Sequence, residues 1–175
     1  MKLDKLLWSK AKADIIKYLV FKRQGVSIRA LETDLEWSFP AIQKQIASLE
    51  ESDIIMVNKE EMKFSIQINP DVAEPLKNLF VAAMKADLMK LTVLHTLIAK
   101  CYLGEIFGYH IDADVVMITH PALLWSLETL QKEMSELFHD YLMDRINVVF
   151  MSLDDFSKRS RMADKFVLNL LRTNQ

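Results

Sequence analysis

The sequence predicts an α+β protein, mainly helical, in three parts. These are a helix-and-hairpin domain over residues 1–70, a long connecting helix over 71–107 and a small α/β domain over 108–175. Three observations predict this. Apolar residues recur at helical spacing through most of the chain, with only 3 Gly and 4 Pro among 175 residues to interrupt them. Residues 54–57 and 64–68 alternate instead like the two strands of a hairpin. After residue 108 the pattern changes to strand, helix, strand, helix, the order of a small parallel-type sheet covered by helices.

The elements follow in order. Leu6, Leu7, Ile15, Ile16, Leu19 and Val20 place a first helix over 3–22, stopped near Gln24-Gly25. Ser27 is a natural N-cap for a second helix that ends around Glu36-Trp37. Ser38 caps a third, where Pro40 is tolerated because first-turn amides have no partner inside the helix. Ile42, Ile46 and Leu49 fall at i, i+4 and i+7 and form its core stripe, which leaves Gln43, Lys44 and Ser48 to face elsewhere. Ile54–Val57 and Phe64–Ile68 are the hairpin strands, with Lys59-Glu60-Glu61-Met62 at the tip. Asn69-Pro70 opens the long helix, predicted to run to about Phe107, and Pro75 lies in its first turns. A strand over 110–118, a helix over 121–142, a strand over 146–151 and a final helix from Leu153 to about Arg172 complete the chain.

Helix, short turn, helix, hairpin is the winged helix-turn-helix order, in which the second helix of the pair enters a DNA major groove. Residues 5–80 resemble the winged-helix regulators of the arsenic-repressor-like group. The matching residues are Leu7-Trp8-Ser9-Lys10-Ala11-Lys12-Ala13-Asp14-Ile15-Ile16, Leu31, Ala41–Ile46, Leu49-Glu50, Ile54-Ile55 and Ile68-Asn69-Pro70. The resemblance implies that 38–50 is a recognition helix. The group usually has a glycine where this chain has Ser52-Asp53, and Asp tolerates a left-handed turn better than most residues. Gln43 and Lys44 are then expected at base edges or phosphates, with Lys10, Lys12, Arg29 and Ser38 in support and Lys59 and Lys63 beside the wing tip. Glu60 and Glu61 at that tip repel phosphate.

Residues 92–175 look like a degenerate minimal nucleotidyltransferase domain. Phe107-Gly108, Asp112-Ala113-Asp114-Val115-Val116-Met117-Ile118, Asn147–Phe156 and Asp164–Arg172 carry the resemblance. An active member grips nucleotide phosphates with a Gly-Ser turn, and three carboxylates hold two magnesium ions. Here Gly108 is followed by Tyr109, Gly104 by Glu105, and the third carboxylate falls near the neutral Asn147. Asp112 and Asp114, expected on one strand face with His110 in line, are the candidate metal ligands; polar residues at a sheet edge or strand entrance are the favoured reading of them.

The remaining composition narrows the function. The net charge is −2, and residues 1–80 carry 12 basic and 12 acidic side chains, which is not the balance of a sequence-blind nucleic-acid binder. Lysines concentrate in residues 1–23, as DNA-facing groups or as a solvated helix face. A single cysteine, Cys101, excludes an intrachain disulfide and fits a cytoplasmic protein. It sits on an apolar stretch, as a packing residue. No run of about 18 apolar residues suggests a membrane span. The histidines lack zinc-ligand spacing.

The expectation is a homodimeric regulator that binds double-stranded DNA and needs no cofactor, its C-terminal domain serving dimerisation or the sensing of a small-molecule or protein effector. Two alternatives stay open. One is a nucleotidyltransferase, with magnesium, targeted by the winged helix. The other is a winged-helix module that binds proteins.

Overall fold

The computed structural model describes residues 9–60, 63–121, 124–143 and 145–173, without the side chains of 59, 60, 63, 64 and 124. The protein is α+β and mainly helical, with a two-stranded and a three-stranded sheet. Two compact units divide inside the long helix. One ends at Ala83 and takes in Tyr141–Met143; the other comprises Met84–Asp140 and the residues from Asp144 on.

In the first unit, helix α1 is Lys10–Lys17. Ser9 is its N-cap, extended at φ −158°, and its hydroxyl accepts from the Lys12 amide at 3.4 Å. The expected helix over 3–22 therefore does not pass unbroken through Ser9; its part over 3–8 lies outside the described residues. After α1 the chain widens into a π-helical turn, Tyr18–Lys22. Helix α2 is Ile28–Leu35, where the Ser27 hydroxyl accepts from the Ala30 amide at 3.2 Å, the expected cap. Glu36 ends it in the left-handed region at φ 56°.

Helix α3, Phe39–Glu51, buries Ile42, Ile46 and Leu49, as their spacing requires. Ser38 holds the N-cap position, yet its side chain makes no cap bond. The Phe39 amide donates instead to Glu32 Oε1 at 3.1 Å. Asp53 takes the left-handed conformation, φ 54°, in the turn after α3.

Strands β1, Ile55–Glu60, and β2, Lys63–Ile68, pair antiparallel, with Val57 opposite Ile66. Val26 adds a third rung on the far side of Ile66: each amide donates to the other's carbonyl, at 3.1 and 2.8 Å. Gln24 Oε1 accepts from the Ile68 amide at 3.0 Å, so the segment after the π-helical turn is stitched to the hairpin.

Helix α4 is Pro70–Leu94. The expected extension to Phe107 is wrong. The chain leaves the helix after Leu94 and forms strand β3, Ile98–Leu103, which pairs antiparallel with β4, Val115–Thr119. Leu94, Leu97 and Ile98 continue the helical spacing, but β4 offers an open ladder edge, and pairing with it overrides that spacing. The 110–118 strand is shorter than expected, since residues 110–114 are a bend rather than a strand.

Helix α5, Leu124–His139, links β4 to the parallel strand β5, Val148–Ser152. The final helix is two. Helix α6, Leu153–Arg161, and helix α7, Lys165–Thr173, are separated by a turn in which Ala163 is left-handed and Asp164 caps the Val167 amide.

In the sheet of the second unit β4 is central, and all five of its residues are buried. On one face Val116 and Ile118 join Met151, Phe156, Val167 and Leu170 in a core that draws in Tyr102, stacked on Phe156 at 6.1 Å between ring centres. Val115 and Met117 on the other face are as fully buried, so the strand is covered on both sides.

Gly104, at the end of β3, lies against the backbone entering β4. Its amide donates to Asp114 O at 2.8 Å, and a Cβ there would sit 1.8 Å from Ala113 O. Gly104→Ala must push these two segments apart. We expect a loss of about 1–3 kcal/mol, the range for overpacking, read as a lowered midpoint in urea unfolding with an unchanged slope.

Candidate functional site

Helices α2 and α3 form a pair joined by Glu36-Trp37-Ser38. What holds it against α1 is a buried carboxylate. Asp14 Oδ2 accepts from Trp37 Nε1 at 3.2 Å, and Asp14 Oδ1 pairs with Lys17 Nζ at 2.8 Å. The turn is thus tied to the first helix by a charge that burial would otherwise make costly. A second tie joins the π-helical turn after α1 to α2: the Tyr18 hydroxyl donates to the Asp34 carboxylate. A third joins α1 to α3, from Lys12 Nζ to Ser48 Oγ at 2.6 Å.

The expected contact residues separate on this frame. Gln43 and Lys44 are exposed on α3, away from the buried stripe of Ile42, Ile46 and Leu49, as are Phe39, Pro40, Ala47, Glu50 and Glu51. Ser38 is exposed just ahead of them, its hydroxyl unused as a cap. Arg29 is exposed in the first turn of α2, and Lys10 in the first turn of α1. Lys12 differs. It is half-buried, and its ammonium holds Ser48, so it positions α3 rather than presenting a free cation. Lys59 and Lys63 face each other's neighbours in the ladder near the tip, but their side chains lie outside the described residues, as does the tip, Glu61-Met62.

Charge over the helix pair is acidic. From Ile28 to Glu51 two basic residues, Arg29 and Lys44, stand against Glu32, Asp34, Glu36, Glu50 and Glu51. Glu32 is engaged at the Phe39 amide and Asp34 at Tyr18, which leaves Glu36 exposed in the turn just ahead of α3 and Glu50 and Glu51 exposed at its C-terminal end.

In the second unit Gly104, Asp112, Asp114 and Asn147 converge. The Asn147 amide donates to Asp114 Oδ2 at 2.9 Å, and Asn147 Nδ2 donates to Asp112 O at 3.3 Å. Asp114 is therefore a clamp on the segment entering β5. The two aspartates do not share a strand face as expected, because both precede β4; Asp112 is exposed and Asp114 half-buried. Among the described residues no group of three or more His, Cys, Asp or Glu side chains could hold a metal ion. The glycine that touches the segment holding Asp114 is Gly104, at the end of β3, not Gly108.

Burial pushes the Cys101 thiol up to about 12, so it is protonated and unreactive at neutral pH. His95 bonds Glu133 of α5 through Nε2. No described helix is long and apolar enough to cross a membrane.

Neither a protein-family model nor a curated protein matches this sequence. One solved structure, the crystal structure of AF1382 from Archaeoglobus fulgidus, is similar over 50% of this chain and 97% of that one. The identity is 14% and the TM-score 0.41, a likeness too slight to bear on function.

Burial, and then the hydrogen bond to Asp34, push the Tyr18 hydroxyl up to about 12, above the value of about 10 for a free tyrosine. A raised value in the folded state means that the stabilisation is complete below pH ~10 and is lost as pH rises through ~12. Thermal unfolding followed from pH 8 to 12 should show the wild type losing stability above pH 10 more steeply than Tyr18→Phe.

Proposed function

We propose that the protein is a DNA-binding transcriptional regulator. The observation that carries this reading is the exposed, uncommitted Ser38-Gln43-Lys44 edge at the N-terminal half of α3. It sits on a helix whose opposite face is locked into the core by Ile42, Ile46 and Leu49. That half is the part a recognition helix inserts. Gln43 pairs with adenine in the major groove, while Lys44, Arg29 and Lys10 neutralise phosphates. Lys12 acts indirectly, by fixing α3 through Ser48.

The second unit serves dimerisation or sensing. Its strand order around the aspartates, antiparallel β3–β4 and parallel β4–β5, is consistent with a nucleotidyltransferase-like shell. Its donor set is not that of a two-magnesium centre. Glu105 follows Gly104 where the phosphate-gripping turn needs serine, Asn147 is neutral, and Asp114 is spent on a backbone amide. Val93 (84% exposed), Leu94 (77%) and Trp125 (65%) leave apolar surface on this unit, which suits a two-fold dimer of the chain.

The acidic balance of α2 and α3 favours a second reading, a winged-helix module that binds a basic protein partner.

Fluorescence anisotropy on DNA from upstream of the protein's own gene, at several salt concentrations, separates the two. Gln43→Ala should cost ~1–3 kcal/mol of discrimination on the preferred sequence and little on others. Lys44→Ala should weaken all sequences alike and reduce the salt slope by about one unit. Absence of wild-type binding at low salt, or two variants indistinguishable from wild type, would give the function to the protein-binding module. Light scattering at tens of micromolar should show a dimer; a monomer refutes the self-association.

A further inference from the structure

The second unit contains an open cleft of about 630 Å³ whose lining includes Asp112, Lys165, Phe166, Leu168, Asn169 and Arg172. This volume falls within the usual range for small-molecule sites. Lys165, Asn169 and Arg172 lie at i, i+4 and i+7 of α7, so one face of that helix supplies them all. Asp112 comes from the bend ahead of β4, and two amides fix that bend. Asn169 Nδ2 donates to His110 O at 2.8 Å, and Asn147 Nδ2 holds the Asp112 carbonyl. The Asp112 main chain is pinned, while its carboxylate has no hydrogen bond or ion pair among the described residues. The same is true of the Lys165 ammonium and the Arg172 guanidinium.

One carboxylate and two cations therefore line one cleft without pairing with one another. A purely anionic ligand would meet Asp112, and a purely cationic one would meet Lys165 and Arg172. A ligand carrying both charges satisfies all three. We propose that this cleft binds a small zwitterion of the α-amino-acid class. Its carboxylate lies in the fork of Arg172, with Lys165 beside it; its ammonium lies on Asp112; its apolar side chain lies over Phe166 and Leu168. A guanidinium matches a carboxylate in two parallel hydrogen bonds, which gives this end its geometry. Asn169 positions Asp112 through His110 rather than by touching the ligand. The proposal deepens the sensing role suggested for this unit, and its binding test requires no DNA, so the two readings fail separately.

The test is calorimetry on the full chain with each of the twenty L-amino acids, with the N-acetyl and carboxamide forms of any that bind, and with inorganic phosphate as a purely anionic probe. At least one amino acid with an apolar side chain should bind, and each blocked form should bind at least about tenfold more weakly, or ~1.4 kcal/mol. Asp112→Asn should abolish the penalty for N-acetylation, and Arg172→Gln should abolish the penalty for the carboxamide. Both positions are exposed, and far-UV circular dichroism confirms that the variants are folded. The proposal is overturned if no amino acid binds, if the blocked forms bind as well as the free ones, if folded variants keep wild-type selectivity, or if phosphate binds while no amino acid does.

Discussion

The N-terminal unit depends on one buried carboxylate. A charge withdrawn from water must be paired, and Asp14 meets that demand with Lys17 on its own helix and the Trp37 indole from the turn between α2 and α3. The turn between the two helices is thereby held by a directional bond rather than by apolar contact alone. Tyr18–Asp34 and Lys12–Ser48 repeat the device at α2 and α3. Each begins on the first helix or the turn that follows it, so α1 acts as a bracket that sets the pitch of the helix pair. The support of α3 is polar as well as packed.

The C-terminal unit is organised by a different constraint, the close approach of two backbones. Gly104 lets the end of β3 lie on the segment entering β4, and Asp114 clamps that segment to Asn147. The Asp114 carboxylate is thus engaged in holding two segments of the unit together. The same contacts leave Asp112 fixed in backbone and free in side chain, the condition for a recognition group.

Much of the fold was legible because it rests on local chemistry. Ile42, Ile46 and Leu49 declared the buried face of α3, Ser27 declared the start of α2, and Phe64, Ile66 and Ile68 declared a strand. The errors fall where a distant partner decides the outcome. Leu94, Leu97 and Ile98 keep helical spacing, and only the edge of β4 makes the chain turn into a strand. No glycine or proline marks Ala163, so two helices read as one. Ser38 looked like a cap, but Glu32, seven residues earlier, takes the amide. At the candidate interface Gln43 and Lys44 were found from the core stripe beside them. The engagement of Lys12 was not, since Ser48 lies 36 residues away. The Asp112 cleft left no trace, because its cations belong to a helix more than 50 positions later.

The central place of β4 has a consequence in time. Val115–Thr119 is wholly apolar save its last residue, rich in β-branched side chains, and needs partners on both edges. β3 precedes it, but β5 begins 33 residues after Val115, the interval between partners Val115 and Val148. At a synthesis rate of about 5–20 residues per second, that strand waits on the order of 2 to 7 seconds with one edge open. An unpaired, uncharged strand edge is a template for other chains. The newborn protein is thus most vulnerable to misassembly in the interval before its fifth strand is made.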